Sequence, residues 1–315
     1  MSTVFFAIIK LFFITSLGFV FYKKKVLKED ALSFLTFWVI NISLPFLIFT
    51  NIVSNLDLGT KPGVLTFLGV SLGIFSLALI SALSSLFFIP KNVRRESISL
   101  ICFQNCAYLP MNLALFLFSP EIRAEFLLYI FLYTLGFNIL MWSVGSFFIF
   151  KKKKESFDFR SLFTPPIVSV LLSLVVVAAG FKKIIPDLVF SPLQLIGNTT
   201  FPLSMIILGA WLAKSKMSHF FQEFSPVLKI NLIKLVLLPG IVFLLLRHFQ
   251  IFSLLGLFIL MEAAMPSAAT LPIVVDMRKG NSTFVSRGVF FSHFAGIITI
   301  PVWVDLFLLS SGLKL

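Results

Sequence analysis

Apolar residues along this chain gather in long stretches that are separated by short polar segments. Ten stretches are close to the roughly 20 residues that a helix needs to cross the hydrocarbon core of a bilayer. None alternates apolar and polar residues as a membrane barrel strand does, and backbone in lipid must satisfy its own hydrogen bonds. The pattern predicts an all-α integral membrane protein with ten transmembrane spans, numbered 1 to 10 in order: 4–22, 33–54, 64–89, 98–118, 126–150, 164–181, 193–213, 227–246, 251–275 and 288–309.

The composition agrees with this pattern. Of the 315 residues 58% are hydrophobic and only 12% are charged, and the mean hydropathy is +1.04. These values exclude an ordinary soluble domain and a disordered chain. The two cysteines exclude a disulfide scaffold.

The net charge of +13 reflects membrane topology. Loops that follow odd-numbered spans hold 17 of the 26 basic residues, and loops that follow even-numbered spans hold five. By the positive-inside rule the odd loops are cytoplasmic, so both termini are expected on the non-cytoplasmic side of the plasma or inner membrane. Span 1 has no basic segment before it and is followed by Lys23, Lys24 and Lys25, so we interpret it as a retained helix and not as a cleaved signal peptide. A nucleic-acid partner is not expected.

A weak internal repeat joins the two halves of the chain. The segment Asn41-Ile-Ser-Leu-Pro45 in span 2 matches Asn198-Thr-Thr-Phe-Pro202 in span 7 at an offset of 157 residues, and Pro110 matches Pro266 at an offset of 156. Because each half holds five spans, the second half must enter the membrane in the opposite direction. We therefore expect two inverted five-helix repeats, 1–155 and 156–315, divided by the Lys-rich loop 151–163.

Prolines in spans 4 and 9 mark the expected breaks in the helices. Proline removes a backbone hydrogen bond, and the freed carbonyl persists in lipid only where it faces protein or water. Mid-span prolines are also common simple kinks, and we favour that interpretation for Pro45 and Pro202, which have apolar neighbours. For Pro110 and Pro266, whose neighbours are polar or small, we favour a transport site.

The segment Glu262-Ala-Ala-Met-Pro266-Ser, continuing to Ile300-Pro301, resembles the bacterial branch of the auxin efflux carrier family. The segment Asn41-Ile-Ser-Leu-Pro45-Phe-Leu-Ile-Phe resembles the second helix of that family, and the ten spans fit its five-plus-five arrangement. The resemblance implies a carrier of organic anions such as malate, malonate or auxin-like acids. It also implies a crossed-helix fold like that of the bile-acid and sodium/proton carriers.

The resemblance further implies that the spans form two structural domains. Spans 1, 2, 6 and 7 would form a scaffold, usually dimeric, and spans 3–5 and 8–10 would form the transport domain. The substrate would lie where spans 4 and 9 cross. Relatives often carry Gly-Leu-Pro where this chain has Tyr108-Leu109-Pro110, so Tyr108 is expected to affect the size or class of substrate. The substrate site implied on this chain consists of Asn105, Tyr108, Pro110, Asn112, Pro266, Ser267 and Thr270.

The residues themselves favour an anion. A helix that restarts after Pro110 or Pro266 would present unpaired N–H groups and the positive end of its dipole, which suit a carboxylate. Neutral donors near these ends are Asn105, Asn112, Ser267 and Thr270. Asn138 in span 5 is expected either to line the pathway or to bond a neighbouring helix, and the sequence leaves both open.

Glu262 and His293 are the candidates for proton coupling, because ionisable residues inside a membrane are costly to bury. Desolvation would keep an unpaired Glu262 protonated, so that it could carry a proton with the substrate. The alternative is a structural pair with Lys234. For His293 the alternative is a hydrogen-bonded packing role. Cys102 and Cys106 lack further ligands nearby, so core packing is favoured over a metal site.

The expected function is secondary active transport by alternating access, without a cofactor. The chain has no G-x-x-x-x-G-K-[ST] motif for ATP, so a gradient would drive uphill flux. A passive anion channel is the alternative. An intramembrane hydrolase built on Ser292, His293 and Glu262 is less favoured, since no nucleophile or metal-ligand motif accompanies them and no catalytic residue is expected.

Overall fold

The computed structural model describes residues 3–57, 59, 62–145, 163–214 and 220–313. Within these ranges the chain is helical, apart from short connections and one isolated β-bridge between Gln104 and Ser267. The predicted division of the chain at 155/156 lies outside the described residues. So do the basic residues Lys61, Lys151 to Lys154, Arg160 and Lys216.

Twelve helices are described, and three of them contain a junction. Helix α2 comprises Glu29–Trp38, a π turn at Val39–Ser43, and Leu44–Asn55, whereas α9 comprises Phe220–Leu232, a π turn at Ile233–Leu237, and Leu238–His248. Helix α8 joins Asp187–Asn198 to Thr200–Lys214. The other nine are α1 Thr3–Lys23, α3 Val64–Ser85, α4 Arg94–Cys102, α5 Tyr108–Leu117, α6 Pro120–Trp142, α7 Pro165–Ala178, α10 Leu254–Ala264, α11 Leu271–Met277 and α12 Ser282–Ser311.

Seven of these helices are long and apolar enough to cross a membrane: α1, α2, α3, α6, α8, α9 and α12. The other three predicted spans have a different form. Span 6 corresponds to the 14-residue α7, which stays helical through Val175, Val176 and Val177. Span 4 is divided into α4 and α5, and span 9 into α10 and α11.

Both π turns have a local cause in the sequence. Each is followed by a Leu-Pro pair, Leu44-Pro45 in α2 and Leu238-Pro239 in α9. Proline has no N–H and its ring crowds the preceding turn, so the helix widens there. In α9 the carbonyl that Pro239 cannot bond, that of Leu235, accepts a hydrogen bond from Trp303 Nε1 at 2.8 Å. The widened turn is therefore satisfied by a neighbouring helix, as a membrane interior requires.

Helices α1 and α8 pack at unusually short range. A Cβ atom on Gly209 would lie 1.8 Å from the carbonyl oxygen of Thr15, and one on Gly18 would lie 2.1 Å from that of Ile206. Small residues let membrane helices approach closely enough for dense van der Waals contact. Helix α2 packs against α7. These four helices correspond to spans 1, 7, 2 and 6.

A second packing centre lies between α3, α6 and α10. The ring of Phe258 in α10 meets the rings of Phe67, Phe126, Tyr129 and Tyr133 edge-on, with centroids 5.6–5.8 Å apart. Edge-to-face contacts of this kind hold aromatic rings in fixed positions. Large exposed apolar side chains lie outside this core, among them Leu65, Leu188 and Leu309, as expected for surfaces that face lipid.

Candidate functional site

The divided helices of spans 4 and 9 place two non-helical segments side by side. Helix α4 ends at Cys102 and α5 begins at Tyr108, while α10 ends at Ala264 and α11 begins at Leu271. The segments run antiparallel and exchange two backbone hydrogen bonds of 2.8 Å, from Asn105 N–H to Pro266 O and from Ala268 N–H to Phe103 O. Each break thus satisfies polar groups that the other exposes, so the two stabilise one another inside the protein.

These hydrogen bonds correct the register expected from the sequence. A two-fold rotation that superposes Phe103 on Pro266 and Asn105 on Ala268 would turn each of these hydrogen bonds into the other. The matched residues differ by 163 positions. The expected match of Pro110 with Pro266 is wrong, because Pro110 lies inside α5 and Pro266 lies in the non-helical segment. Pro110 lies in the first turn of α5 as Pro272 lies in the first turn of α11, one residue away from an exact match at the offset of 163. The expected restart after Pro110 is wrong, because α5 begins two residues before it, whereas α11 begins at Leu271, after Pro266, as expected.

Prolines in the first turns of α5 and α11 reduce the supply of backbone donors. Pro110 and Pro272 occupy first-turn positions and have no N–H. The Leu109 N–H approaches Asn105 Oδ1 at 3.4 Å, and the Leu271 N–H donates to Ala268 O at 3.1 Å. The expected cradle of free N–H groups is therefore smaller than the sequence suggested, and side-chain donors become more important.

Ser267 holds the crossing together. Its Oγ donates to the carbonyl of Leu100 at 2.7 Å, and its backbone N–H donates to Ser292 Oγ at 3.2 Å. Ser292 in turn donates to Val289 O at 2.8 Å. The Ser292 hydroxyl is therefore bonded to a carbonyl and not to a base, which is not the arrangement of a hydrolytic nucleophile.

Asn112 links two helices. Its Nδ2 donates to Ser204 Oγ in α8 at 2.9 Å and to the carbonyl of Tyr108 at 2.8 Å. The side chain is buried between α5 and α8. Asn112 thus joins the divided span 4 to the helix that packs against α1.

A cavity of about 310 Å³ lies against both non-helical segments. Of the residues that the sequence singled out, Asn105, Tyr108, Asn138 and Thr270 line it, whereas Pro110, Asn112, Pro266 and Ser267 do not. The Nδ2 of Asn138 donates one hydrogen bond to the carbonyl of Thr134 in its own helix, at 2.8 Å. Other lining residues come from α2, α6, α7, α11 and the two breaks, including Ile40, Leu44, Ile48, Gln104, Phe131, Thr134, Phe137, Met141, Trp142, Ile167, Ala268, Ala269 and Val274.

The cavity wall is neutral and largely apolar. Among the described residues that line it, none carries a formal charge. Sequence reasoning missed the aromatic and aliphatic part of this wall, because in a membrane protein apolar residues that face a cavity look the same as those that face lipid. Gln104 was also missed, although a polar residue beside Asn105 in a span was a usable signal.

Tyr108 lies between this cavity and a smaller one. Tyr108 and Thr270 also border a small space of about 20 Å³, which is lined on its far side by Trp211 and Ser204. Trp211 in turn borders a third cavity of about 360 Å³ beside Lys214 and Asp276. The Lys214 ammonium contacts the Trp211 ring at 5.0 Å and pairs with Glu29 at 2.7 Å. The three spaces form a row along Ala269, which borders all of them.

Glu262 and Lys234 are fully buried close to the crossing. Both are 0% exposed, and neither the Glu262 oxygens nor the Lys234 Nζ has a hydrogen-bond partner within the described chain. Each is near enough to act electrostatically on the other, and Gln104 is close to Glu262. Gln104 is itself held by a hydrogen bond from its Nε2 to the hydroxyl of Tyr133. Two buried ionisable groups without direct partners are unusual and costly.

Comparison with known proteins identifies the family of the chain. A sequence model of the family described as membrane transport protein matches residues 3–160 and 154–304, which together cover nearly all of the chain. The chain is also 24% identical over 285 residues to an uncharacterised transporter of Methanocaldococcus jannaschii, covering 88% of this chain and 90% of that protein. This is a multi-pass membrane protein, and it belongs to the membrane transport protein family, that of the auxin efflux carriers.

Proposed function

We propose that this protein is a secondary active transporter that moves a small organic anion across the membrane by alternating access. The observation that carries the proposal is the cavity of about 310 Å³ against two crossed non-helical segments. Interrupted helices that cross at the membrane midplane are typical of substrate sites in secondary transporters. Membership of a membrane transport family supports a transport function rather than an enzymatic one.

We infer that the architecture comprises ten spans in two inverted repeats. The seven long helices supply seven spans, α7 supplies span 6, and the pairs α4/α5 and α10/α11 supply the two divided spans. The exchange of Phe103 with Pro266 and of Asn105 with Ala268 in the two hydrogen bonds is what a two-fold axis through the crossing would produce. With ten spans, the excess of basic residues in the odd-numbered loops supports a topology in which both termini are on the non-cytoplasmic side of the plasma or inner membrane.

The scaffold consists of α1, α2, α7 and α8, and the remaining helices form the transport domain. The cavities of 310 and 360 Å³ lie between these two groups, with α2 and α7 bordering the first and α8 bordering the second. Both cavities reach toward the helix ends that the positive-inside rule makes cytoplasmic, so this state is open to the cytoplasm. Movement of the transport domain along the scaffold would close these spaces and open the opposite side. The scaffold is also proposed to form a homodimer.

Recognition of the anion relies on neutral groups. Asn105, Thr270 and Tyr108 border the cavity with amide and hydroxyl groups, and the N-terminal end of α5 adds a partial positive charge. The apolar remainder of the wall favours one carboxylate on an apolar body over a compact dicarboxylate, because a second charge would have no charged partner there. A monocarboxylate is therefore the preferred class.

Proton coupling is proposed for Glu262. Its carboxyl group is buried beside the crossing without a hydrogen-bond partner in the described chain, which favours the neutral form until the site is hydrated. A Glu262 that loads a proton on one side and releases it on the other would couple the pH gradient to movement of the substrate. Lys234 would then influence when the proton leaves.

The proposal is tested with purified protein in proteoliposomes. Uptake and charge movement are measured for a panel of monocarboxylates and dicarboxylates of increasing size, at two pH values, against protein-free liposomes. We expect saturable uptake of one monocarboxylate class, with counter-transport from preloaded vesicles. Flux that neither saturates nor shows counter-transport would establish the channel alternative. Absence of flux for the whole panel, with protein that gel filtration shows to be folded, would refute an organic-anion carrier.

A further inference from the structure

His293 makes two hydrogen bonds that assign its chemical form. Its ring, which is completely buried in α12, has Nδ1 at 2.9 Å from the carbonyl of Val289 and Nε2 at 3.3 Å from Asn105 Nδ2. A carbonyl oxygen only accepts, so Nδ1 must carry the hydrogen. In the neutral ring Nε2 is then the acceptor, and the Asn105 amide is the donor.

The same bonds fix the orientation of the Asn105 amide. With Nδ2 directed at His293, Oδ1 is directed at the N–H of Leu109, at 3.4 Å. The reverse orientation would set an amide oxygen against the lone pair of Nε2 and an NH2 group against an N–H. Both contacts therefore require one arrangement, and the backbone of Asn105 is held by its bond to Pro266.

The second amide hydrogen of Asn105 has no acceptor within the described chain, and Asn105 borders the 310 Å³ cavity. We propose that His293 is a positioning residue, a neutral acceptor that holds the Asn105 amide so that this hydrogen is presented to a substrate oxygen. The proposal rests on the proposed carrier function. A proton on Nε2 would set two donors face to face, so His293 cannot hold Asn105 and carry a coupling proton at the same time.

A double-mutant cycle on uptake tests this role. His293→Leu removes the acceptor, Asn105→Ala removes the amide, and His293→Gln offers a carbonyl oxygen as a substitute acceptor. We expect each of the first two to raise KM about five- to tenfold, the effect of about one hydrogen bond, with a much smaller change in maximal rate. The double variant should be no worse than Asn105→Ala alone, and His293→Gln should recover most of the affinity. Multiplicative losses in the double variant would overturn the proposal, because His293 would then act independently of Asn105.

A second measurement does not depend on transport. The chain has three histidines, so replacing His219 and His248 by Gln leaves His293 as the only imidazole. The ¹⁵N shifts of its ring are recorded in lipid between pH 5 and pH 8. A neutral ring with hydrogen on Nδ1 throughout this range supports the proposal, and a doubly protonated ring or hydrogen on Nε2 overturns it. If no carboxylate is transported while the Nδ1–H form is found, the carrier function fails and the hydrogen-bond assignment stands.

Discussion

Ser43 and Thr200 are joined by a hydrogen bond of 3.0 Å from the hydroxyl of Thr200 to that of Ser43. The two residues differ by 157 positions, which is also the offset between the segments that begin at Asn41 and Asn198. Residues that occupy the same place in two repeats can touch one another only at the axis that relates the repeats. This contact between α2 and α8 therefore supports the inverted arrangement independently of the crossing.

The inverted repeat predicts opposite sidedness for Lys25 and Lys182, which share the offset of 157. Cysteines placed at these positions, in a chain with Cys102 and Cys106 changed to Ala, should react from opposite faces of the membrane. A membrane-impermeant maleimide applied to intact cells is expected to label Lys182→Cys and not Lys25→Cys. Labelling of both positions from the same face would contradict the inverted repeat.

Gly209→Ala should destabilise the protein. The added methyl would overlap the Thr15 carbonyl, which belongs to backbone and cannot turn away. We expect a loss of roughly 1–3 kcal/mol, as for other overpacked interiors, seen as a lower melting temperature in detergent. Gly73→Ala in α3 is the matched control, because nothing lies within 4 Å of its added methyl. Equal melting temperatures for the two variants would show that α1 and α8 are not closely packed.

Lys234→Met should raise the melting temperature. The Lys234 ammonium is fully buried and has no hydrogen-bond partner in the described chain, and Met fills similar space without a charge. A buried charge without a hydrogen-bond partner is costly, so its replacement by an apolar side chain of similar size should stabilise the protein. Lys229→Met, an exposed change on the same helix, is the control. A marked loss of stability in Lys234→Met would instead establish a structural ion pair with Glu262.

Glu262→Gln should abolish the pH dependence of uptake. Gln keeps the size and polarity of a protonated carboxyl group but cannot release a proton. In the wild type we expect uptake to rise as the external pH falls, and in the variant we expect one rate from pH 5 to pH 8. Glu121→Gln at the exposed start of α6 is the control and should keep the wild-type profile. A wild-type pH profile in Glu262→Gln would assign Glu262 a structural role.

Tyr108→Ala should admit larger substrates. The Tyr108 side chain borders both the 310 Å³ cavity and the small space beyond it, so its removal joins the two toward Trp211. We expect the KM of long-chain or bicyclic acids to fall at least severalfold, while that of the smallest transported acid rises as its contacts are lost. Tyr108→Phe should behave like the wild type. An unchanged order of KM values in Tyr108→Ala would mean that this ring does not limit the site.

Several features of the fold could be predicted from the sequence. Lipid offers no hydrogen bonds, so each long apolar stretch had to become a helix, and even Val175, Val176 and Val177 are helical despite their β-branching. Polar residues beside the prolines of spans 4 and 9 correctly indicated that both spans are interrupted. Asn105 and Thr270 were singled out near these prolines, Tyr108 from the family resemblance and Asn138 from its place in span 5, and all four line the cavity.

The sequence did not predict which residues of the two non-helical segments lie opposite one another. Sequence matching paired Pro110 with Pro266, because proline is a visible marker. The backbone hydrogen bonds join Asn105 with Pro266 and Ala268 with Phe103, because each break must bond the polar groups that the other leaves free. The hydrogen-bond partners of each segment lie in a second segment about 160 residues away in sequence. No local sequence pattern therefore predicts them.

By itself the sequence determined that the chain lies in a membrane, how often apolar segments recur, and where those segments are weakened, since these follow from hydrophobicity and from proline's missing N–H. Tertiary structure decided which polar residues face the cavity and which close the crossing: Asn105 and Thr270 border the first, whereas Ser267 and Asn112 bond neighbouring backbone and helices. It also brought His293 to Asn105 and left Glu262 without a direct partner in the described chain. These outcomes depend on how distant helices rotate and pack. The sequence does not show whether an apolar residue faces lipid, a cavity or another helix.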